Sequence, residues 1–298
     1  MNWLQLSIQT DKQHADSIEQ ALQQAGALSV TTTDAADQPL LEPAPGETPL
    51  WDQLIMTGLF TGDSDRDALM YTMLQSGSID NPQRISIEAL PDQEWTRAWM
   101  DYFKPMPFGK RLWICPEGYD PPCPDAVNMR LDPGLAFGTG THPTTALCLE
   151  WLDGQPLNNC RILDYGCGSG ILAIAALLLG AHSAWCVDND EQALIATQAN
   201  ATKNHVEQKI KNRFPRDLEE IQADIVVANI LAGPLLELAP VLAKRVRTGG
   251  ELALSGILLE QSEEVKQRYQ TWFDMKPATC KDGWVLLQGT RNTHHSYE

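Results

Sequence analysis

A strand that runs directly into a glycine-rich turn is the feature that most restricts the fold of this chain. Residues 160–165 form a predicted buried strand, and Gly166, Gly168 and Gly170 follow it at alternate positions before an apolar helix begins. Glycines let a ligand approach the backbone, and the start of a helix offers N–H groups without intrahelical partners. A dinucleotide-binding turn would have its third glycine at position 171, where this chain has Ile171. The turn therefore predicts an α/β sheet whose ligand site differs from a dinucleotide-binding site.

Strands and helices alternate from residue 160 onward. This alternation is typical of a doubly wound, mostly parallel sheet with helices on both faces, which binds ligands at the carboxyl ends of its strands. The predicted strands cover residues 160–165, 183–187, 223–228 and 251–255, the helices 170–179, 191–204, 233–245 and 260–271, and two closing strands 273–280 and 283–288.

The glycine turn, preceded by Asp164, resembles the first motif of class I S-adenosylmethionine-dependent methyltransferases. Asp188 ends the next predicted strand, where an acid can accept hydrogen bonds from both ribose hydroxyls of an adenosine. A solvated turn residue is the alternative role for Asp188. Asp190 and Glu191 are placed to cap the helix that follows.

Asn229 ends the third predicted strand. In the amino-methylating enzymes that this superfamily includes, an Asn or Asp here accepts a hydrogen bond from the attacking amine and orients it in line with the methyl–sulfur bond. The amine must be neutral, so a lysine first loses its proton. Ile230 and Leu231 replace the prolines of the Asn-Pro-Pro-Tyr form, which disfavours a glutamine or adenine methyltransferase. A turn-forming Asn is the alternative.

A second run, in which glycine and threonine alternate, lies upstream over residues 138–141, and Pro143 then begins a predicted helix. Thr141 or His142 is placed near the N-cap, with Pro143 at or near the first helical position. Such a loop can close over a cofactor and offer hydroxyl and N–H groups to it. His142 has two interpretations, a structural residue beside a cap or a catalytic residue, and the structural one is favoured.

The first ninety residues predict the order β-α-β-β-α-β of a ferredoxin-like unit. Thr10 or Asp11 is placed to cap the first helix, which Gly26 ends, and Ser64 or Asp65 to cap the second. A predicted helix over residues 92–103, with Trp95, Trp99 and Phe103 on one face, joins this unit to the rest. The remaining predictions here are strands over 4–8, 28–33, 54–61 and 84–90, a proline-rich loop over 39–49, and short extended pieces over 111–115 and 128–131.

The charge of −17 is concentrated in residues 1–90, which hold 13 acids and 3 bases. An acidic surface repels phosphate backbones and attracts a basic partner, although solubility alone is an alternative explanation. Seven cysteines without a Cys-x-x-Cys pair argue against disulfides and a zinc cluster, and no secretory or membrane segment is visible. We therefore expect a cytoplasmic protein with reduced thiols, no metal, and no direct binding to nucleic acid or membrane.

Taken in order along the chain, these motifs resemble the family of bacterial methyltransferases that modify large-subunit ribosomal protein eleven. The resemblance implies a monomeric enzyme that methylates lysine side-chain and N-terminal amines of this basic protein with S-adenosylmethionine. It implies domains over residues 1–90 for substrate recognition and 109–291 for catalysis, a helical linker over 91–108 and a frayed tail over 292–298. It also implies cofactor contacts for Thr145, Gly166, Gly168, Asp188 and Asn229, and for Phe103, Phe137 and Thr141, with Asn229 the catalytic residue.

Three other functions are weighed against this one. An S-adenosylmethionine-dependent N-methyltransferase of another protein or of a small amine shares the same chemistry. A nicotinamide oxidoreductase is disfavoured by Ile171, which stands where such a site has glycine. A non-catalytic binding module is disfavoured because Asp188 and Asn229 are both present.

Overall fold

The computed structural model describes residues 3–36, 50–75, 79, 81–90, 104–116, 118–131 and 142–293. The chain divides into two compact units, Met1–Asp101 and Tyr102–Glu298. The predicted helix over 92–103 and loop over 39–49 lie outside the described residues, and so do Phe103, Phe137 and Thr141.

The first unit is a four-stranded antiparallel sheet in the order β2-β3-β1-β4, which confirms the predicted ferredoxin-like arrangement. Its elements are β1 Trp3–Asp11, α1 Ala15–Gln24, β2 Ser29–Asp34, β3 Gln53–Thr61, α2 Arg66–Gln75 and β4 Ile85–Leu90. Alternate residues of β1, Leu4, Leu6 and Ile8, are buried in one apolar core with Ile18 and Leu22 of α1. The alternation of apolar and polar residues along β1 therefore determines which face of the sheet packs against the helices.

One of the two predicted helix caps in this unit is correct. The carboxylate of Asp65 accepts hydrogen bonds from the backbone N–H groups of Asp67 and Ala68, as expected of a cap on α2. Thr10 and Asp11, in contrast, still belong to β1. Asp11 instead accepts from Gln13 and His14 in the intervening turn, and His14 is the N-cap of α1.

The second unit contains an eight-stranded sheet in the order β10-β9-β8-β11-β12-β15-β13, with β14 paired to β15. Strands β8 to β12 pair in parallel, and β15 is antiparallel to β12. The predicted doubly wound, mostly parallel sheet is thereby confirmed. The strands are β8 Arg161–Tyr165, β9 Ser183–Val187, β10 Ile210–Arg213, β11 Ala223–Asn229, β12 Val246–Leu258, β13 Phe273–Met275, β14 Thr279–Lys281 and β15 Trp284–Arg291.

Helices cover this sheet on both sides and enclose two apolar clusters. A small sheet of β5 Met106–Phe108, β6 Leu112–Cys115 and β7 Val127–Arg130 belongs to the same unit. The helices are α3 Pro143–Asp153, α4 Ile171–Leu178, α5 Glu191–Lys203, α6 Ala232–Arg245 and α7 Ser262–Tyr269.

The strand predictions for this unit need correction at four points, the first of which is that β5 Met106–Phe108 is a strand inside the predicted helical linker over 91–108. The predicted strand over 273–280 is two strands, β13 and β14, because the segment between them contains Pro277, which has no N–H for a sheet hydrogen bond. β10 was not predicted because its four residues are mostly polar and lie at the sheet edge. β12 extends beyond the predicted 251–255 in both directions.

Two features are absent from the described residues. Within them, no helix is long and apolar enough to cross a membrane. The same part of the chain contains no group of three or more His, Cys, Asp or Glu side chains that could hold a metal ion.

Candidate active site

A cavity of about 720 Å³ lies at the carboxyl ends of β8, β9 and β11. Three residues singled out from the sequence, Gly166, Asp188 and Asn229, line it together with His142. They come from separate parts of the chain, and the parallel sheet brings them to one edge, as expected for this class of fold.

The turn after β8 takes a backbone conformation that requires glycine. Gly166, Gly168 and Gly170 have φ angles of 78°, 53° and 76°. A Cβ atom at Gly166 would overlap Cγ2 of Ile230, so this position is restricted both by conformation and by space. The backbone N–H of Gly166 donates to the carbonyl of Val187 at 2.7 Å, which ties the turn to the end of β9.

Asp188 is half-buried on the cavity wall. Its Oδ2 accepts a hydrogen bond from the backbone N–H of Gly168 at 2.9 Å, and its Oδ1 accepts one from that of Asp190 at 3.0 Å. A carboxylate has about four acceptor positions, so two bonds leave capacity for a ligand's hydroxyl groups. Asp190 is the N-cap of α5 as predicted, since its side chain accepts from the backbone N–H of Gln192.

Asp164 lies beneath the glycine turn with only 1% of its surface exposed. Its Oδ2 accepts a hydrogen bond from the backbone N–H of Ala173 at 3.1 Å, whereas Oδ1 has no partner among the described residues. Burial, assisted by the negative charge of Asp188, raises the pKa of Asp164 to about 7 against the opposing effect of the Ala173 hydrogen bond. A buried carboxyl group with a raised pKa therefore lies two residues before the glycine turn.

The side chain of Asn229 is held by Thr145. Nδ2 of Asn229 donates to Oγ1 of Thr145, the first-turn threonine of α3, at 3.3 Å. Thr145 is buried and is not among the residues that line the cavity. The structure therefore brings Thr145 to the site through Asn229, whose side-chain carbonyl oxygen is not used in this hydrogen bond.

His142 is the N-cap of α3 and stands at the cavity wall. Its Nδ1 lies 2.7 Å from Oγ1 of Thr144, and its ring meets that of Trp284 edge-on, with centroids 4.9 Å apart. Burial lowers the pKa of His142. The N-cap prediction is thus confirmed.

Three further cavity residues, Trp284, Ile230 and Gly256, were not assigned a role from the sequence. Gly256 directly follows the predicted strand over 251–255, and only the longer observed strand makes it a glycine inside a strand, which is a signal for a bulge. No local pattern distinguishes Trp284 or Ile230, because their positions depend on contacts between distant elements.

The sheet order, the antiparallel β15, the glycine turn after β8 and the acid after β9 together define a class I S-adenosylmethionine-dependent methyltransferase. Residues 2–292 match the family model described as ribosomal protein L11 methyltransferase (PrmA). The chain belongs to this family.

Relatives of known name agree with this assignment over nearly the whole chain. Ribosomal protein L11 methyltransferase of Pseudomonas savastanoi pv. phaseolicola is 55% identical over 293 residues, which are 98% of this chain and 100% of that protein. The protein of the same name from Shewanella sediminis is 51% identical over 292 residues, with 98% and 100% covered. The crystal structure of ribosomal protein L11 methylase from Lactobacillus delbrueckii subsp. bulgaricus is 33% identical and covers 64% of this chain and 100% of its own, with a TM-score of 0.59.

Proposed function

We propose that this enzyme transfers methyl groups from S-adenosylmethionine to lysine side-chain amines and the N-terminal amine of ribosomal protein L11, and that Asn229 orients the amine. The observation that carries the proposal is the position of Asn229. It lines the same cavity as Asp188, and its amide nitrogen is bonded to Thr145. Its side-chain oxygen is then the atom that can accept a hydrogen bond from an amine.

The residues around the cavity fit the cofactor. The half-buried carboxylate of Asp188 suits ribose hydroxyls, and Gly166 and Gly168 allow a ligand to approach the backbone closely. We propose that Thr145 contributes through Asn229, and that Phe103, Phe137 and Thr141 complete the site as the family resemblance implies. S-adenosylmethionine supplies a methyl group that is already activated by its sulfonium charge.

The contribution of the protein to this reaction is to orient the substrate amine. A neutral amine needs its lone pair directed at the methyl carbon, and one fixed acceptor for an N–H hydrogen restricts the rotation of the nitrogen. The Asn229 amide meets this requirement because Thr145 restricts the rotation of the amide itself. The lysine must be deprotonated for the reaction, since its ordinary pKa is about 10.4.

We also propose a division of labour between the two units. The sequence of residues 1–90 carries 13 acids and 3 bases, so this domain is suited to attract a basic protein. The cofactor residues Thr145, Gly166, Gly168, Asp188 and Asn229 all belong to the other unit, Tyr102–Glu298. We propose that residues 1–90 recognise the substrate, that 91–108 link the domains, that 109–291 catalyse the transfer, and that 292–298 form a tail. In this proposal the enzyme is a cytoplasmic monomer that does not bind nucleic acid directly.

The test uses the purified enzyme with labelled S-adenosylmethionine and purified ribosomal protein L11. We expect label on lysine and N-terminal amines of L11 with the wild-type enzyme and much less with Asn229→Ala. A mixture of other basic proteins and a set of small amines serve as competitors. Label on a competitor in preference to L11 would instead favour the alternative, an N-methyltransferase of another protein or a small amine.

A second experiment tests the division of labour. A fragment that begins at Tyr102 should bind S-adenosylmethionine in calorimetry as the whole chain does, yet fail to methylate L11. Full activity of this fragment would contradict the proposed recognition role of the first unit.

A further inference from the structure

Strand β12 is irregular beside the site. Its pairing with β15 shifts between Leu254 and Ile257, and Gly256 within the shift has a φ of +85°. On its other side, β12 pairs with β11 so that Ser255 lies opposite Asn229. The shift therefore spans Ser255, the partner of Asn229, and Gly256, which lies at the cavity wall.

The space beside Gly256 is filled by the backbone of Ile230. A Cβ atom at Gly256 would overlap the carbonyl oxygen of Ile230 and lie 2.7 Å from its carbonyl carbon and 3.2 Å from its nitrogen. A change of side-chain rotamer cannot relieve such an overlap, because all three atoms belong to the peptide chain. Any side chain at position 256 must displace the backbone at Ile230 or at the bulge.

Ile230 is held from the opposite direction as well. Its Cγ2 occupies the space that a Cβ atom at Gly166 would fill. Gly166 follows β8 and Gly256 lies in β12, and these two strands flank β11 in the sheet. Ile230, which directly follows Asn229, is thus seated between two glycines contributed by the two neighbouring strands.

We propose that Gly256 is a positioning residue for methyl transfer, which seats the Ile230 peptide so that Asn229 presents its amide to the substrate amine. The proposal rests on the orienting role of Asn229 argued above. Where the Asn-Pro-Pro-Tyr form has a proline, whose ring restricts the backbone, this chain has Ile230. Packing between Gly166 and Gly256 supplies the restriction instead.

Gly256→Ala tests the proposal in single-turnover experiments with saturating cofactor and L11. We expect the rate of methyl transfer to fall about 10–100-fold, while the dissociation constant of S-adenosylmethionine changes less than about 3-fold. Gly249→Ala is the matched control, because Gly249 lies in the same strand with a φ of +72° and a Cβ there would meet only Nη1 of Arg247 at 3.7 Å. It introduces similar backbone strain without an overlap, and its rate should stay within about 2-fold of wild type.

The double variant Asn229→Ala, Gly256→Ala distinguishes a loss of Asn229 positioning from a general loss of activity. If Gly256 acts through Asn229, the double variant should be no slower than Asn229→Ala alone. Gly256→Asn replaces the alanine variant if that variant does not fold, because asparagine adopts a positive φ more readily than alanine. Its Cβ atom retains the overlap with Ile230, so this variant should be as slow as Gly256→Ala. A wild-type rate for the folded Gly256 variants, or rate losses that multiply in the double variant, would overturn the inference. If Asn229→Ala itself reacts at the wild-type rate, the proposed role of Asn229 fails first, and the positioning role falls with it.

Discussion

The carboxylate of Asp188 accepts a hydrogen bond from the backbone N–H of Gly168 at 2.9 Å. The acid that directly follows β9 is therefore bonded to the glycine turn that follows β8. Two signals that the sequence presents separately form one structural unit on the cavity wall, so a change in either should affect the other.

Asp188→Ala should weaken the binding of S-adenosylmethionine. Loss of charge-assisted hydrogen bonds to the ribose costs roughly 2–4 kcal/mol, or about 30–1000-fold in the dissociation constant measured by calorimetry. Asp190→Ala is the control, because it removes the cap of α5 at a cost of about 1 kcal/mol in stability and should leave the affinity unchanged. Equal affinity for wild type and Asp188→Ala would show that Asp188 is only a turn residue.

Gly166→Ala should also weaken cofactor binding, but for a steric reason that a second mutation can relieve. The new methyl group would overlap Cγ2 of Ile230, and alanine is strained at the φ of 78°. We expect at least about a 10-fold loss of affinity, of which Ile230→Ala in the same chain restores a part because it removes Cγ2. Gly26→Ala is the control for strain alone, since Gly26 has a φ of 92° and open space beside it. If the double variant binds no better than Gly166→Ala, the overlap is not the cause.

Asp164 should make the stability of the enzyme depend on pH. Its pKa of about 7 lies above the ordinary value of 3.8, so the folded chain binds more protons than the unfolded chain between these values, and stability from this group falls as the pH rises through the window. Asp164→Asn cannot ionise. Its free energy of unfolding in urea should therefore increase relative to that of wild type between pH 5 and 7, by at most about 1.4 kcal/mol per pH unit.

Asp224→Asn is the control for this measurement. Burial alone would raise the pKa of Asp224, but hydrogen bonds from Arg161 and Arg247 lower it overall. This carboxylate stays ionised above pH 5 in both states, so its variant should differ from wild type by a constant amount. A constant difference for Asp164→Asn as well would contradict the prediction.

The sequence predicts those parts of the site that depend on local signals. A strand followed by Gly166, Gly168 and Gly170 specifies a turn and a helix, and the carboxyl ends of parallel strands meet at one edge of the sheet. For these reasons the positions of Asp188 and Asn229 at a common cavity could be expected before the structure was known. The N-cap of α3 follows in the same way from Pro143 at the first helical position.

Other parts depend on contacts between distant residues, which no local pattern encodes. The hydrogen bond from Asn229 to Thr145 joins β11 to α3. Ile230 packs against Gly166, which follows β8, and Gly256, which lies within β12. The cap of α1 was misplaced because β1 continues through Asp11, where pairing with Gln53 of β3 outweighs the capping preference of the side chain.

Asn229→Ala should slow methyl transfer more than it weakens cofactor binding. If the side-chain oxygen holds the incoming nitrogen, the contact is worth most when the nitrogen, methyl carbon and sulfur are in line, and its loss reduces the rate constant more than ground-state affinity. Single-turnover rates at saturating cofactor should fall roughly 10–1000-fold, the range for an orienting contact worth about 1.4–4 kcal/mol. Asn229→Asp should retain part of the activity, since it still offers an acceptor oxygen.

Thr145→Val tests the orientation of the Asn229 amide without removing Asn229 itself. Valine has nearly the shape of threonine but no hydroxyl, so the Asn229 amide would lose its partner at 3.3 Å while remaining at the site. We expect an intermediate rate, between those of wild type and Asn229→Ala, and no further loss when Thr145→Val is added to Asn229→Ala, because both changes act on the same amide. Cofactor affinity, measured by calorimetry for each variant, distinguishes this role from a direct one. If Asn229→Ala reacts at the wild-type rate but binds cofactor poorly, Asn229 holds the cofactor and does not orient the amine.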